Sequence, residues 1–282
     1  LGSDTGGSGR VPAAANGIVG LKPTPGIISA RGMLYCNRSF DVVPIFAKTV
    51  QDAACVFDVL CKADPLDPFA FQGRVLPAPG ALEMTGAQYA IPADLNHFGD
   101  EAAKHAHQTN LRALEQAGAT LIEVDFAPFA ETGDLVFKSA LVAERLVDYG
   151  DFIADAPGAV VPAVAQAINA GREYSARDLY EVLHRLAELK LQCHAVLDKV
   201  DALVVPTIAR LFTVQEMLND PMALNTIMGT YTYFANPLGL AAIAVPGVRR
   251  ADGLSSSVCF VSKGGTDLAL LEHAHVFAKR LE

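Results

Sequence analysis

A chain of 282 residues, 51% of them hydrophobic, can bury a sizeable core in one or two domains. Its net charge of −9, spread along the chain, removes the electrostatic case for nucleic-acid binding. No apolar run reaches the roughly 18 residues of a membrane span, and five scattered cysteines without a C-x-x-C pattern read as reduced thiols in a cytoplasmic protein.

The chain opens on Leu1-Gly2-Ser3-Asp4-Thr5-Gly6-Gly7-Ser8-Gly9-Arg10-Val11-Pro12. Gly6 and Gly7 can take backbone conformations closed to residues with a β-carbon. Consecutive N–H groups from Thr5 to Ser8 could then turn toward one point, as a developing oxyanion requires. Ser8 would be the nucleophile, given a neighbouring base. Asp4 and Arg10 flank the turn and could pair beneath it. The bland alternatives are a phosphate cradle or a plain glycine-rich turn. Neither G-x-x-x-x-G-K-[ST] nor G-x-G-x-x-G is present, and Pro12 stops any long helix starting at Ser8.

Residues 1–48 otherwise read as irregular, with short apolar stretches such as Val42 to Phe46. Thr49 and Asp52 have cap spacing and predict a helix ending near Lys62. Residues 64–88 read as a surface loop, and Gln88–Pro92 as a strand. Residues 100–117 predict an amphipathic helix closed by Gly118, and Thr120–Asp125 a strand. Residues 133–200 read as helical, with Ser175 and Asp178 capping a helix through about Leu197. Ala202–Pro206, Ala241–Val245 and 257–262 are strand candidates, and Thr266–Lys279 a closing helix. The pattern predicts an α/β fold with a mixed sheet.

Two His-Ala-His pairs, at 105–107 and 273–275, place their rings about 200° apart on a helix, so neither pair shares a metal. No metal or organic cofactor is expected. Arg145 reads either as half of an Arg–Glu pair on a helix face or as a clamp for a substrate carboxylate. Asn225 and the run Gly229 to Asn236, with Tyr231, read as a pocket lining or a buried connection.

The string from Gly2 to Ala13, followed by Gly17-Ile18-Val19-Gly20-Leu21-Lys22-Pro23-Thr24, closely resembles the amidase signature family. The resemblance implies that Ser8 accepts the acyl group and that the N–H groups of Thr5, Gly6, Gly7 and Ser8 form the oxyanion hole. The family's triad adds a cis-serine and a lysine that lie upstream of this motif. Neither maps onto this chain, and Lys22 is not that lysine. Residues 1–282 are therefore expected to be the C-terminal portion of one amidase-signature domain, a mixed β-sheet flanked by helices on both sides and N-terminally incomplete.

Residues 32–49, 186–189 and 220–238, with Leu141-Val142-Ala143-Glu144-Arg145, resemble the allophanate hydrolase group. That resemblance implies cleavage of a small carboxylated urea with release of ammonia, and makes Arg145 the contact for the substrate carboxylate. A family tyrosine eight residues earlier is Phe137 here, and the usual Gly-Pro-Trp reads Ser139-Ala140-Leu141. Ser3, Asn225 and Tyr231 complete the expected substrate contacts. The expected partner is a small-molecule amide, and a homodimer is left open. An amidase for another small amide and a non-catalytic subunit stand as the rival readings.

Overall fold

Hydrophobic alternation along the strands decides the architecture. In the structure, a computed structural model that describes residues 1–71, 73, 75 and 84–281, two apolar clusters lie on opposite faces of one sheet. Ala241, Ile243 and Val245 join one cluster with Val258 and Phe260, while Ala242, Cys259 and Val261 join the other. Successive strand side chains point to opposite faces, so both faces must be covered. The expected α/β fold, a mixed sheet with helices on both sides, is what forms.

In chain order the described elements are α1 (Val11–Ala15), β1 (Val19–Lys22), β2 (Ile45–Ala47), α2 (Val50–Leu60), β3 (Gln88–Pro92) and α3 (Glu101–Gln116). Then come β4 (Thr120–Val124), α4 (Ala127–Lys138), α5 (Arg145–Asp155), α6 (Pro162–Asn169), α7 (Ala176–Leu197) and β5 (Ala202–Pro206). The last are α8 (Val214–Asn219), α9 (Pro221–Gly229), β6 (Ala241–Pro246), β7 (Ser257–Ser262) and α10 (Asp267–Leu281). The strand order is β2-β1-β6-β7-β5-β3-β4. Strand β3 runs parallel to β4 and β5, and the remaining neighbours are antiparallel.

The capped helices begin where the side-chain spacing predicts. Thr49 accepts from the Asp52 N–H ahead of α2, and Ser175 and Asp178 form a full capping box ahead of α7. The segment 1–48, read as irregular, instead contributes α1 and two strands. β1 is buried along its whole length, so no polar alternation marks it, and β2 has only three residues. The stretch 133–200 is also not continuous: it breaks into α4, α5, α6 and α7 joined by 3₁₀ turns. Of the loop expected over 64–88, residues 72, 74 and 76–83 lie outside the described residues.

Gly20 decides where the glycine-rich loop that carries Ser8 can lie. A Cβ there would sit 2.2 Å from the Gly9 carbonyl and 2.7 Å from the Ala13 Cβ. Only a glycine lets residues 9–13 pack directly on β1, which pairs with β6 near the middle of the sheet.

Candidate active site

The loop from Asp4 to Arg10 is built around one buried ion pair. Asp4 Oδ1 accepts from Arg10 Nη2 and Oδ2 from Arg10 Nε, both at 3.0 Å, with both side chains fully buried. The same carboxylate accepts the Gly7 N–H at 2.7 Å and the Gly9 N–H at 3.0 Å. Burial works to raise the Asp4 carboxyl, but the Arg10 guanidinium outweighs it and holds the group below the ordinary carboxylate range. Arg10 Nη1 continues to the Thr232 carbonyl at 2.9 Å, and Nη2 to Asn236 Oδ1 at 3.1 Å. Asn236 Nδ2 donates to the carbonyls of Asp4 and Phe40. The Thr232 hydroxyl donates to the Gly6 carbonyl at 2.7 Å.

This bracing changes the expected set of oxyanion donors. The Gly7 N–H is committed to Asp4, and Gly7 itself sits at a φ of +137°, in the region that favours glycine. The N–H groups of Thr5, Gly6 and Ser8 have no acceptor among the described residues. Nor does any described base hydrogen-bond the Ser8 hydroxyl. Lys22 lies beneath the loop with its Nζ on the Pro23 carbonyl at 2.8 Å. Burial, and then the charge of Arg10, pulls its pKa down to about 7.

Ser8 faces a cleft of about 350 Å³ lined by Ser3, Thr5, Gly6, Gly7, Cys36, Phe137, Asn225, Tyr233 and neighbouring residues. Ser3, Cys36, Phe137 and Asn225 also line an adjoining chamber of about 570 Å³. Arg145, only 4% exposed, lines that chamber. Its Nε donates to Asn37 Oδ1 at 3.1 Å, and its guanidinium carbon stands 5.1 Å from the centre of the Phe137 ring. It forms no ion pair among the described residues. The neighbouring Glu144 is occupied by the Ser39 N–H and hydroxyl and by Asn37, so the bland Arg–Glu reading does not hold. A buried guanidinium without a carboxylate partner is a ready site for an anion.

Asn225 reaches the cleft from α9 and exchanges hydrogen bonds with Tyr233: its Nδ2 donates to the phenol, which donates to the Asn225 carbonyl. Phe137 packs on Tyr233 with ring centroids 4.5 Å apart. Tyr231, expected to touch substrate, lies elsewhere. It is 3% exposed, packs against Phe126, and its hydroxyl is used by the Asn96 backbone. One-residue spacing sends Tyr231 and Tyr233 to different surroundings.

Several residues at the site were not singled out in the sequence. Asn37 holds Arg145, Cys36 lines both cavities, and Thr232 and Asn236 brace the loop from within the run read as a pocket lining or a buried connection. A polar residue every few positions between buried apolar ones was the only signal for the last two.

The amidase family model matches residues 1–271. Urea amidolyase of Saccharomyces cerevisiae is 34% identical over 100% of this chain and 15% of its own length. Urea amidolyase of Lachancea kluyveri is likewise 34% identical, over 99% of this chain and 15% of its own length. The solved allophanate hydrolase of Kluyveromyces lactis superposes with a TM-score of 0.95 at 32% identity, over 99% of this chain and 46% of that one. The chain thus spans 15% of each urea amidolyase and under half of the allophanate hydrolase structure. From its opening loop to α10, the chain belongs to the amidase family.

Proposed function

We propose that this chain carries the nucleophile, the oxyanion donors and an anion clamp of a hydrolase for a small carboxylated urea or amide of the allophanate type. The observation that carries the reading is Arg145: a buried cation without a carboxylate partner, in a chamber that shares four lining residues with the Ser8 cleft. Allophanate is a short amide ending in a carboxylate. Likeness to urea amidolyase and allophanate hydrolase points the same way.

In this reading Ser8 attacks the terminal amide carbonyl. Its proton passes to groups outside the described residues, the cis-serine and lysine implied by the resemblance. The tetrahedral oxyanion is received by the free N–H groups of Thr5, Gly6 and Ser8. Ammonia leaves with a returned proton, and water then hydrolyses the acyl-enzyme. Arg145 holds the distal carboxylate throughout.

The test uses the full-length protein with allophanate and a neutral amide. Ser8→Ala is expected to abolish turnover of both. Arg145→Met is expected to lower kcat/KM for allophanate about 100-fold, the scale of a lost charge-assisted bidentate contact, and for the neutral amide by less than about threefold. Activity of Ser8→Ala within tenfold of the parent would sink the nucleophile assignment. Equal losses on both substrates would sink the clamp.

Phe137 favours a second reading, an amidase for a different small amide. Its ring offers no hydroxyl to a carboxylate and packs on Tyr233 and the Arg145 guanidinium. If allophanate is the substrate, Phe137→Tyr should raise or preserve its kcat/KM. A several-fold loss, with a neutral amide turned over faster than allophanate by the parent, would favour the second reading.

A further inference from the structure

We infer that Thr232 is a positioning residue for the oxyanion hole, acting on Ser8 through the Gly6–Gly7 peptide. The inference rests on the reading of Ser8 as nucleophile.

Thr232 is fully buried, and of the two carbonyls its hydroxyl faces, Gly6 at 2.7 Å across 226 residues of sequence and Gly229 at 3.1 Å, the Gly6 oxygen is the nearer acceptor. A trans peptide is planar, with its C=O and N–H pointing opposite ways. The Gly6–Gly7 unit is therefore pinned at both ends, by Thr232 on the carbonyl and by Asp4 Oδ1 on the Gly7 N–H at 2.7 Å. The next unit is held at its carbonyl end only. The Gly7 carbonyl accepts the Arg10 and Val11 N–H groups at 2.8 and 2.7 Å. The Ser8 N–H must then point away from α1, and it has no acceptor among the described residues. Its direction follows from the orientation of the two peptides before it.

Two adjacent glycines cannot hold that orientation by themselves, because neither has a side chain to restrict φ and ψ. Gly7 sits at a φ of +137°, with the Thr232 Oγ1 only 2.3 Å from where its Cβ would be. Thr232 thus fills the space that a side chain would have used, and supplies the hydrogen bond. Its own main chain is tied to the same loop, since its carbonyl accepts Arg10 Nη1 at 2.9 Å. Asn225, Met228, Gly229 and Tyr233, on the same stretch of chain, line the cleft. One threonine therefore sets the donors relative to the opposite wall.

The test compares Thr232→Val, Thr232→Ser and Thr232→Cys in the full-length enzyme. Each kcat is expressed per active site, counted by end-point labelling of Ser8 with a fluorophosphonate, so that misfolded protein is not scored. Outright removal of an oxyanion donor costs about 100- to 1,000-fold in kcat, and a donor left present but misaimed should cost less. Thr232→Val is expected to lose about 30-fold in kcat with KM within about threefold. Thr232→Ser should stay within about threefold of the parent, with Thr232→Cys, a weaker donor of similar size, at least about tenfold below it. A Thr232→Val enzyme within threefold of the parent overturns the proposal. Where the valine protein does not fold, equal kcat for the serine and cysteine variants overturns it. Activity and labelling that survive Ser8→Ala would instead defeat the underlying nucleophile reading.

Discussion

Arg10 is a buried cation with four hydrogen bonds to the loop and its brace, and its fork geometry is what makes them simultaneous. Removing it strands the Asp4 carboxylate in a site closed to solvent. Breaking one half of a buried pair costs roughly 3–5 kcal/mol, so Arg10→Met should lower unfolding stability by about that amount. Arg10→Lys keeps the charge but offers donors from a single point, so it should restore less than half of the loss. Urea titration of parent and variants checks both outcomes, and a fully rescued lysine variant would mean that charge alone matters. The flanking Asp4 and Arg10 were legible in the sequence because both are ionisable and straddle a glycine turn. The commitment of the Gly7 N–H to Asp4 was not legible, because it depends on the backbone path from Asp4 to Gly7, which no side chain marks. Tyr231 and Tyr233 make the same point: both are aromatic with a polar tip, and only the turn between α9 and β6 decides which faces the cleft.

At the scale of elements, the helices with polar caps and the strands bounded by turn residues were readable, because local side-chain chemistry marks their ends. Strand β1 was not readable. It is short, buried on both faces and contains a glycine, so neither alternation nor β-branched enrichment signals it. Yet β1 carries the glycine-rich loop of Ser8, and Gly20 is the point of contact. The Cβ of Gly20→Ala would meet the Gly9 carbonyl at 2.2 Å, a main-chain atom that cannot rotate aside. Overpacking of this kind costs about 1–3 kcal/mol. The loop should lift from the sheet, so the rate of Ser8 labelling by a fluorophosphonate should fall along with the urea midpoint. Gly158→Ala is the control: nothing lies within 4 Å of its would-be Cβ, and it should change stability by less than about 0.5 kcal/mol. A Gly20→Ala protein with parental labelling would show that the loop does not depend on this contact.

Across the whole molecule, the mixed sheet with two covered faces followed from the order of helices and strands, but the pairing of distant polar groups did not. His107 illustrates this. Its sequence neighbour pattern, His-Ala-His, suggested only that the two rings diverge. In the fold His107 is 4% exposed beside His97, ring centroids 5.9 Å apart, and neither of its nitrogens has a partner among the described residues. Burial, and then the neighbouring His97, pulls the His107 pKa down to about 3, and burial lowers His97 as well. The sign of the effect on folding follows from linkage. An unfolded histidine takes up its proton near pH 6.5, whereas folded His107 refuses it until about pH 3. Between those values the unfolded chain holds the extra proton, so stability is complete above about pH 6.5 and declines as the pH falls. The slope approaches about 1.4 kcal/mol per pH unit for each histidine kept neutral. Asp4 also loses stabilisation in acid, but its unfolded carboxyl titrates near 3.8, so its loss falls mostly at the acid end of the His107 window, where the pH is lowest. Urea unfolding at pH 7.5, 6.5, 5.5 and 4.5 should show the decline, and His107→Leu should flatten it while raising stability at pH 5, because it removes two unpartnered polar atoms. A leucine variant with the parent's slope would place the acid sensitivity outside the His97–His107 pair.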